Sequence, residues 1–368
     1  MTSESLLGQY FYHNYSISCA QMRRSYIETP DFLALGAKII GLIGIPTNFF
    51  AYYILIFHTP KFMLHLKLCL LHLKFWTLLI DLIYSVFLIP YVFYPIFAMG
   101  YIGLFSYYLN IPSEIQFYSA MCCYGGIASA GILLFENRQH HMIPKGYTFR
   151  IENPVFRILL VIWNAFLGMA VMVMAIWLRA DSDELKFKFL KVDLQNISPA
   201  HMLKFQLNPC PDPLYFTSYT FAVDTNRNEF SIGILIILSL VSLQYSFFIT
   251  HCVWYIYSEE AARYSRSTRK MQKMFLLASL SQLAIFVAVF VVPLGIFAFV
   301  LITGYRNQGL LNICNLIIPT IGLNTTIALV VMYKPYREFL LGKVKYRGRN
   351  CGTTTIQTLS GFDKSVVF

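Results

Sequence analysis

The residues that could do chemistry are few, and they sit in apolar surroundings. Asp81 lies near the middle of an apolar run at 68–94, with Asn48 at a similar depth in the run 33–57 and Asn324 in the run 311–333. An ionised side chain at that depth needs partners or water. Two readings follow for Asn48, Asp81 and Asn324: a polar switch or sodium-like site inside a bundle, or a hydrogen-bonded anchor that fixes helix register. A second group, Glu136-Asn137-Arg138, closes a stretch of 21 uncharged residues, 115–135. Catalysis finds nothing to hold. There is no zinc-ligand spacing, no phosphate-cradling glycine loop and no nucleophile elbow, and His140 and His141 are adjacent and cannot share a helical face. No enzyme activity, metal or cofactor is expected.

The elements that carry these residues follow from composition. Hydrophobic residues make up 57% of the chain and charged residues 13%, gathered between long apolar runs, the mark of a polytopic membrane protein. Seven runs are long enough to cross: 33–57, 68–94, 115–135, 156–178, 230–257, 274–301 and 311–333. Lipid leaves a single segment no backbone solution but the helix, so the expected fold is all-α, a seven-transmembrane helix bundle. The third run is mostly small residues from Ala120 to Gly131, which lets neighbouring backbones approach closely and marks it as the central helix. Pro46, Pro90, Pro293 and Pro319 fall inside spans as expected kinks, with Pro293 a hinge in the sixth. Lys38 and Lys74 are expected to snorkel to opposite faces.

Orientation follows from Lys and Arg. One side would carry 18 of them and the other 9, so the N-terminal segment 1–32 is placed outside and the tail 334–368 in the cytoplasm. The net charge of +11 fits anionic inner-leaflet lipid as a partner rather than nucleic acid. No basic segment followed by an apolar core precedes the first span, which is therefore expected to direct insertion. The sequons at Asn14 and Asn196 lie on the outer side and are expected to be glycosylated. Only Cys19 and Cys210 share the oxidising compartment, so they are the natural disulfide pair. The basic residues Arg263, Arg266 and Arg269 after the fifth span suit a G-protein contact or lipid headgroups. Residues 335–344 have the spacing of a short amphipathic helix on the inner face, and Cys351 beyond it is either palmitoylated or a free thiol.

Several local motifs occur together. They are Pro60-Lys61-Phe62-Met63, Leu71-His72-Leu73-Lys74-Phe75-Trp76, Leu79-Ile80-Asp81-Leu82, Ile89-Pro90-Tyr91, Phe135-Glu136-Asn137-Arg138, Asn208-Pro209-Cys210-Pro211 and Lys334-Pro335-Tyr336-Arg337. In combination the chain resembles the nematode serpentine chemoreceptors of class H over nearly its whole length. The resemblance implies a G-protein-coupled chemosensory receptor in the plasma membrane, often of sensory cilia, with a small-molecule ligand and a heterotrimeric G protein as partners. Under it Glu136, Asn137 and Arg138 stand where other receptors carry an acidic-Arg-aromatic triplet, although Asn137 separates the acid from the Arg. The other reading is charges that simply end a span. A ligand would rest against the outer half of the third span, at Tyr118, Met121, Cys122 and Gly125, with Phe297, Asn312 and Asn315 opposite. Ordinary packing is the competing account of these positions, and a ligand-gated channel or transporter is the competing class.

Overall fold

The computed structural model describes residues 8, 11, 24–93, 98–144, 146–147, 149–177, 183–187, 212–222, 228–258, 265–303, 305 and 307–342. Cys19, Cys210, Asn14, Asn196, Arg263 and Cys351 lie outside them. Seven long helices form the bundle: α1 (Pro30–Phe57), α2 (Leu64–Leu82), α3 (Ser113–Met142), α4 (Pro154–Trp177), α5 (Asn228–Tyr257), α6 and α7. α6 runs as Arg266–Phe286, a π-turn Val287–Val291 and a further helix Val292–Thr303; α7 runs as Gln308–Ile317, a 3-10 turn Ile318–Thr320 and Ile321–Met332. α8 (Lys334–Leu340) follows.

Sequence sets several of these boundaries. Thr29 caps α1 by accepting from the Phe32 amide at 3.3 Å, with Pro30 at the first helical position, where its missing amide hydrogen costs nothing. Ser265 and Asn307 cap α6 and α7 in the same way. The expected hinge near Pro293 coincides with the π-turn just before it, and Pro319 falls in the 3-10 turn of α7.

The second span is shorter than its apolar run. α2 gives way to a π-turn, Ile83–Phe87, and the chain then turns into a strand. A proline disfavours the right-handed helical region for the residue before it, so the helix ends ahead of Pro90, and Ile89 there takes a left-handed φ of 45°. The departing chain builds β1 (Pro90–Phe93) and β2 (Ala98–Tyr101), and β3 (Thr220–Ala222) from the loop after α4 completes an antiparallel sheet in the order β1-β2-β3. This sheet was not anticipated from an all-α pattern. It lies across the outer end of the bundle, and every strand residue except Met99 is buried.

α3 is the central helix. A Cβ on Gly125 would overlap the Gly168 backbone of α4, one on Gly126 the Trp76 ring of α2, and one on Gly131 the Tyr245 hydroxyl of α5. Small residues thus admit three different neighbours. Six described helices are apolar and long enough to cross a membrane unaided. α2 is the exception because 19 residues hold Lys67, Lys74 and Asp81, so its polar side chains must be satisfied by other helices.

Candidate functional site

Three polar or apolar zones lie along the bundle axis. At the inner end of α3, successive side chains project about 100° apart, so Glu136, Asn137 and Arg138 reach three different neighbours. Glu136 takes a two-pronged ion pair from Arg157 of α4, with Nε to Oε1 at 2.7 Å and Nη2 to Oε2 at 3.1 Å. Asn137 donates to the His65 carbonyl of α2 at 3.2 Å. Arg138, 6% exposed, donates to Ser279 Oγ of α6 at 3.2 Å and to the Tyr333 hydroxyl after α7 at 3.0 Å, and lies over the Phe275 ring at 4.9 Å. The intervening Asn137 explains why acid and Arg do not pair: at two residues apart they face opposite sides of the helix. Of the basic residues expected to contact partners, Arg266 is exposed and Arg269 is half-buried, donating to the Ile256 carbonyl at 3.5 Å.

The middle zone is a buried network between α1, α2 and α7. Asn48 Nδ2 donates to Asp81 Oδ2 at 2.6 Å, and the Gly322 amide donates to Asp81 Oδ1 at 3.3 Å. Lys74 does not snorkel. It is 3% exposed, and its ammonium donates to the Gly322 carbonyl at 3.1 Å, Thr325 Oγ1 at 2.8 Å and Thr326 Oγ1 at 2.7 Å. Lys74 and Asp81, two turns apart on one face of α2, hold the carbonyl and the amide of Gly322. A side chain at Gly322 would overlap both the Asp81 carboxylate and the Asn48 amide. Asn324 does not join. Two residues on from Gly322 it points away, donating to Thr320 Oγ1 at 3.1 Å. These contacts tie α2 to α1 and to α7, the geometry that the register-anchor reading describes.

The outer zone is apolar. Tyr118, Met121 and Phe297 pack in one cluster with Phe117, Tyr124, Phe290, Leu311 and Ile318. Phe221 of β3 reaches down onto Phe117 and Tyr118, with ring centroids at 5.1 and 6.3 Å. Cys122 is a half-buried free thiol. Two of the expected lining residues serve elsewhere. Gly125 faces α4, where it makes room for Gly168. Asn312 is spent on the segment before α1, donating to the Ile27 carbonyl at 2.8 Å while accepting from Gln308 at 3.1 Å. Asn315 is 3% exposed, and its Nδ2 has no hydrogen-bond partner among the described residues.

The segment before α1 is tied across the mouth. Arg24 pairs with Asp212 at 2.6 Å, and the Tyr91 hydroxyl donates to the Glu28 carbonyl at 2.6 Å. Burial, with the Asp212 carboxylate next, raises the Tyr91 phenol above its ordinary range and keeps it a donor.

Two cavities flank the inner zone. One of about 30 Å³, room for a water, lies between Thr77, Tyr245, Gln282 and Thr325, where Gln282 Oε1 has no partner among the described residues. The other, about 450 Å³, opens at the inner face between His58, Met271, Met274, Phe275, Lys334 and Phe339. Its wall includes the ring that carries Arg138. Sequence reasoning missed Lys74, Ser279, Gly322 and Tyr333, although the seven-residue spacing of Lys74 and Asp81 was a visible signal that both face one side of α2.

Residues 28–346 match the family described as the serpentine type 7TM GPCR chemoreceptor Srh. The chain belongs to that family. It is 25% identical over 340 residues to serpentine receptor class H-72 of Caenorhabditis elegans, covering 92% of each chain. Among solved structures, squid rhodopsin aligns over 88% of this chain and 87% of its own, at 9% identity and a TM-score of 0.48. Membership of the Srh family makes this chain a multi-pass, GPCR-like membrane receptor.

Proposed function

We propose that this receptor is chemosensory, taking a small environmental ligand in the outer half of the bundle and signalling to a heterotrimeric G protein across the plasma membrane, including that of sensory cilia. The observation that carries the reading is Arg138, which joins α3 to α6 and to the end of α7 through neutral partners. Such a hub can be rearranged without separating a salt bridge, and ligand binding biases it by differential affinity for the two arrangements. The inner cavity beside Phe275 supports the coupling half of the proposal, since a partner helix seated there would press on the ring that holds Arg138. Arg263, Arg266 and Arg269 would contact the G protein or anionic headgroups.

The unpartnered amide of Asn315 supports the ligand half, together with Tyr118, Met121, Cys122 and Phe297. A Cys19–Cys210 disulfide fits the same scheme. Arg24 and Asp212, five and two residues beyond those cysteines, already pair, and the Phe11 and Phe216 rings approach to 5.0 Å. Glycans at Asn14 and Asn196 would then lie on the outer side. The test is a G-protein reporter in heterologous cells. Arg138→Ala and Tyr333→Phe should change ligand-independent signal at constant surface expression, and an unchanged signal in both would remove Arg138 from the coupling path.

A further inference from the structure

Between β2 and α3 the chain turns its polar groups inward and its apolar side chains outward. We propose that this loop, residues 104–112, is a lipid anchor: Tyr107, Tyr108 and Leu109 sit at the boundary between headgroups and acyl chains of the outer leaflet and pin the sheet to the bilayer. That the leaflet is the outer one rests on the orientation drawn from Lys and Arg. The lipid contact rests on the loop itself.

The loop's hydrogen-bonding groups are largely spent on the protein. The Ser106 and Tyr107 amides both donate to the Gly103 carbonyl, at 3.2 and 3.3 Å, the Tyr108 amide donates to the Leu104 carbonyl at 3.0 Å, and the Ile111 amide to the Phe105 carbonyl at 3.0 Å. Gln116, buried in the first turn of α3, donates to the Ile111 carbonyl at 2.7 Å and bonds the buried Ser106 hydroxyl through both ends of its amide. Asn110, at a left-handed φ of 49°, accepts from the Tyr219 hydroxyl at 2.8 Å, and Tyr219 is the residue before β3, so the loop is fastened to the sheet. Phe105 stacks on Phe87 at 4.8 Å. What is left on the outside is apolar: Tyr107 is 59% exposed, Tyr108 80% and Leu109 56%. Backbone groups satisfied from within and apolar side chains facing out are what the edge of a bilayer requires of a loop and water does not.

Charge and depth agree. From Leu82 to Ser113 there is no Asp, Glu, Lys, Arg or His, whereas the loop after α4, at the same end of the bundle, carries Asp183, Glu184, Lys186 and Asp212. Ile115, the first residue of the uncharged 115–135 stretch, is 56% exposed, so the lipid-facing surface of α3 runs directly up to the loop. Burial, and after it the nearby Asp31 carboxylate, raise the Tyr107 phenol, and Asp31 stands two residues before the apolar run of α1. Two helices thus set the loop at the level where spans begin, the depth at which tyrosine, an apolar ring with a polar tip, is enriched. A protein partner suits the patch less well. Three side chains fall far short of the roughly 800 Å² a side that a stable protein contact buries, and a lipid contact has no such threshold.

The test uses full-length receptor, one copy per phosphatidylcholine nanodisc, with the environment-sensitive fluorescent amino acid Anap carried at position 108 in place of the exposed tyrosine. Both leaflets of the disc are alike, so the outcome does not depend on the orientation. Phosphatidylcholine brominated near the top of its acyl chains should quench the probe severalfold more than phosphatidylcholine brominated near their ends, and iodide in the buffer should quench it weakly. With the probe moved to position 109, Tyr108→Asp should cut the lipid quenching severalfold and raise the iodide quenching. Strong iodide quenching at position 108 without lipid quenching would mean that the loop stands in water, and protection from both quenchers that it is covered by protein; either result overturns the anchor. Lipid quenching at position 109 that ignores Tyr108→Asp would overturn the role given to these side chains.

Discussion

The two ends of this bundle are closed by different physics. At the inner end a few directional contacts do the work: Glu136 with Arg157, Asn137 with His65, and Arg138 with Ser279, Tyr333 and Phe275. At the outer end closure is a small hydrophobic domain, the sheet and its core over Phe117 and Tyr118. Directional contacts can be exchanged one at a time for modest free energy, whereas burial is proportional to area and is lost cooperatively. The difference suits an inner end that switches and an outer end that stays shut.

The contrast can be broken most severely in the middle, where both ends depend on one network. Asp81→Ala takes the acceptor away from two buried donors, the Asn48 amide and the Gly322 N–H, and should cost about 2–5 kcal/mol, read as loss of surface expression and a lower unfolding temperature; Asp81→Asn, which keeps an acceptor oxygen, should recover part of it. Next is the outer end. Phe221→Ala should lower stability by about 3 kcal/mol in thermal unfolding while leaving ligand-independent signalling unchanged. A large change in that signalling would mean the cap is part of the switch.

How much of this was legible from the chain depends on the range of the interaction. The helical bundle and the central placement of α3 are local or periodic properties, and both are seen in the structure, whereas the second span, expected to run to residue 94, ends at Leu82. The union of Asp81 with Lys74 through Gly322 was not legible. Gly322, Thr325 and Thr326 lie about 250 residues away on a helix whose rotation no periodicity fixes, and Asn324, two residues along, looked equally suitable. The sheet escaped because its residues, from Pro90 to Phe93, continue the apolar run of α2; only Pro90 hinted at an end. Asn312 read as a ligand contact because an outward-end amide on α7 looks the same whether it meets a ligand or the Ile27 carbonyl.

Two smaller effects sharpen the comparison. Tyr333→Phe removes one hydrogen bond to a charged group, about 1.5 kcal/mol, yet should raise ligand-independent G-protein signal out of proportion to its effect on unfolding. Asp212→Ala breaks the Arg24 pair at the rim, about 1 kcal/mol or less, and should leave that signal where it was. If the two variants were reversed in their effects, the switching end would be the outer one.

The central claim is that the contacts of Arg138 hold the inner ends of α3 and α6 together. Double electron–electron resonance between spin labels at the exposed Leu64 and Lys270 measures this directly in detergent or nanodiscs, with Leu64 as a fixed reference on α2. The wild-type receptor should give one dominant distance, and Arg138→Ala should add a population at longer distance as α6 swings outward. Identical distance distributions for the two proteins would contradict the account.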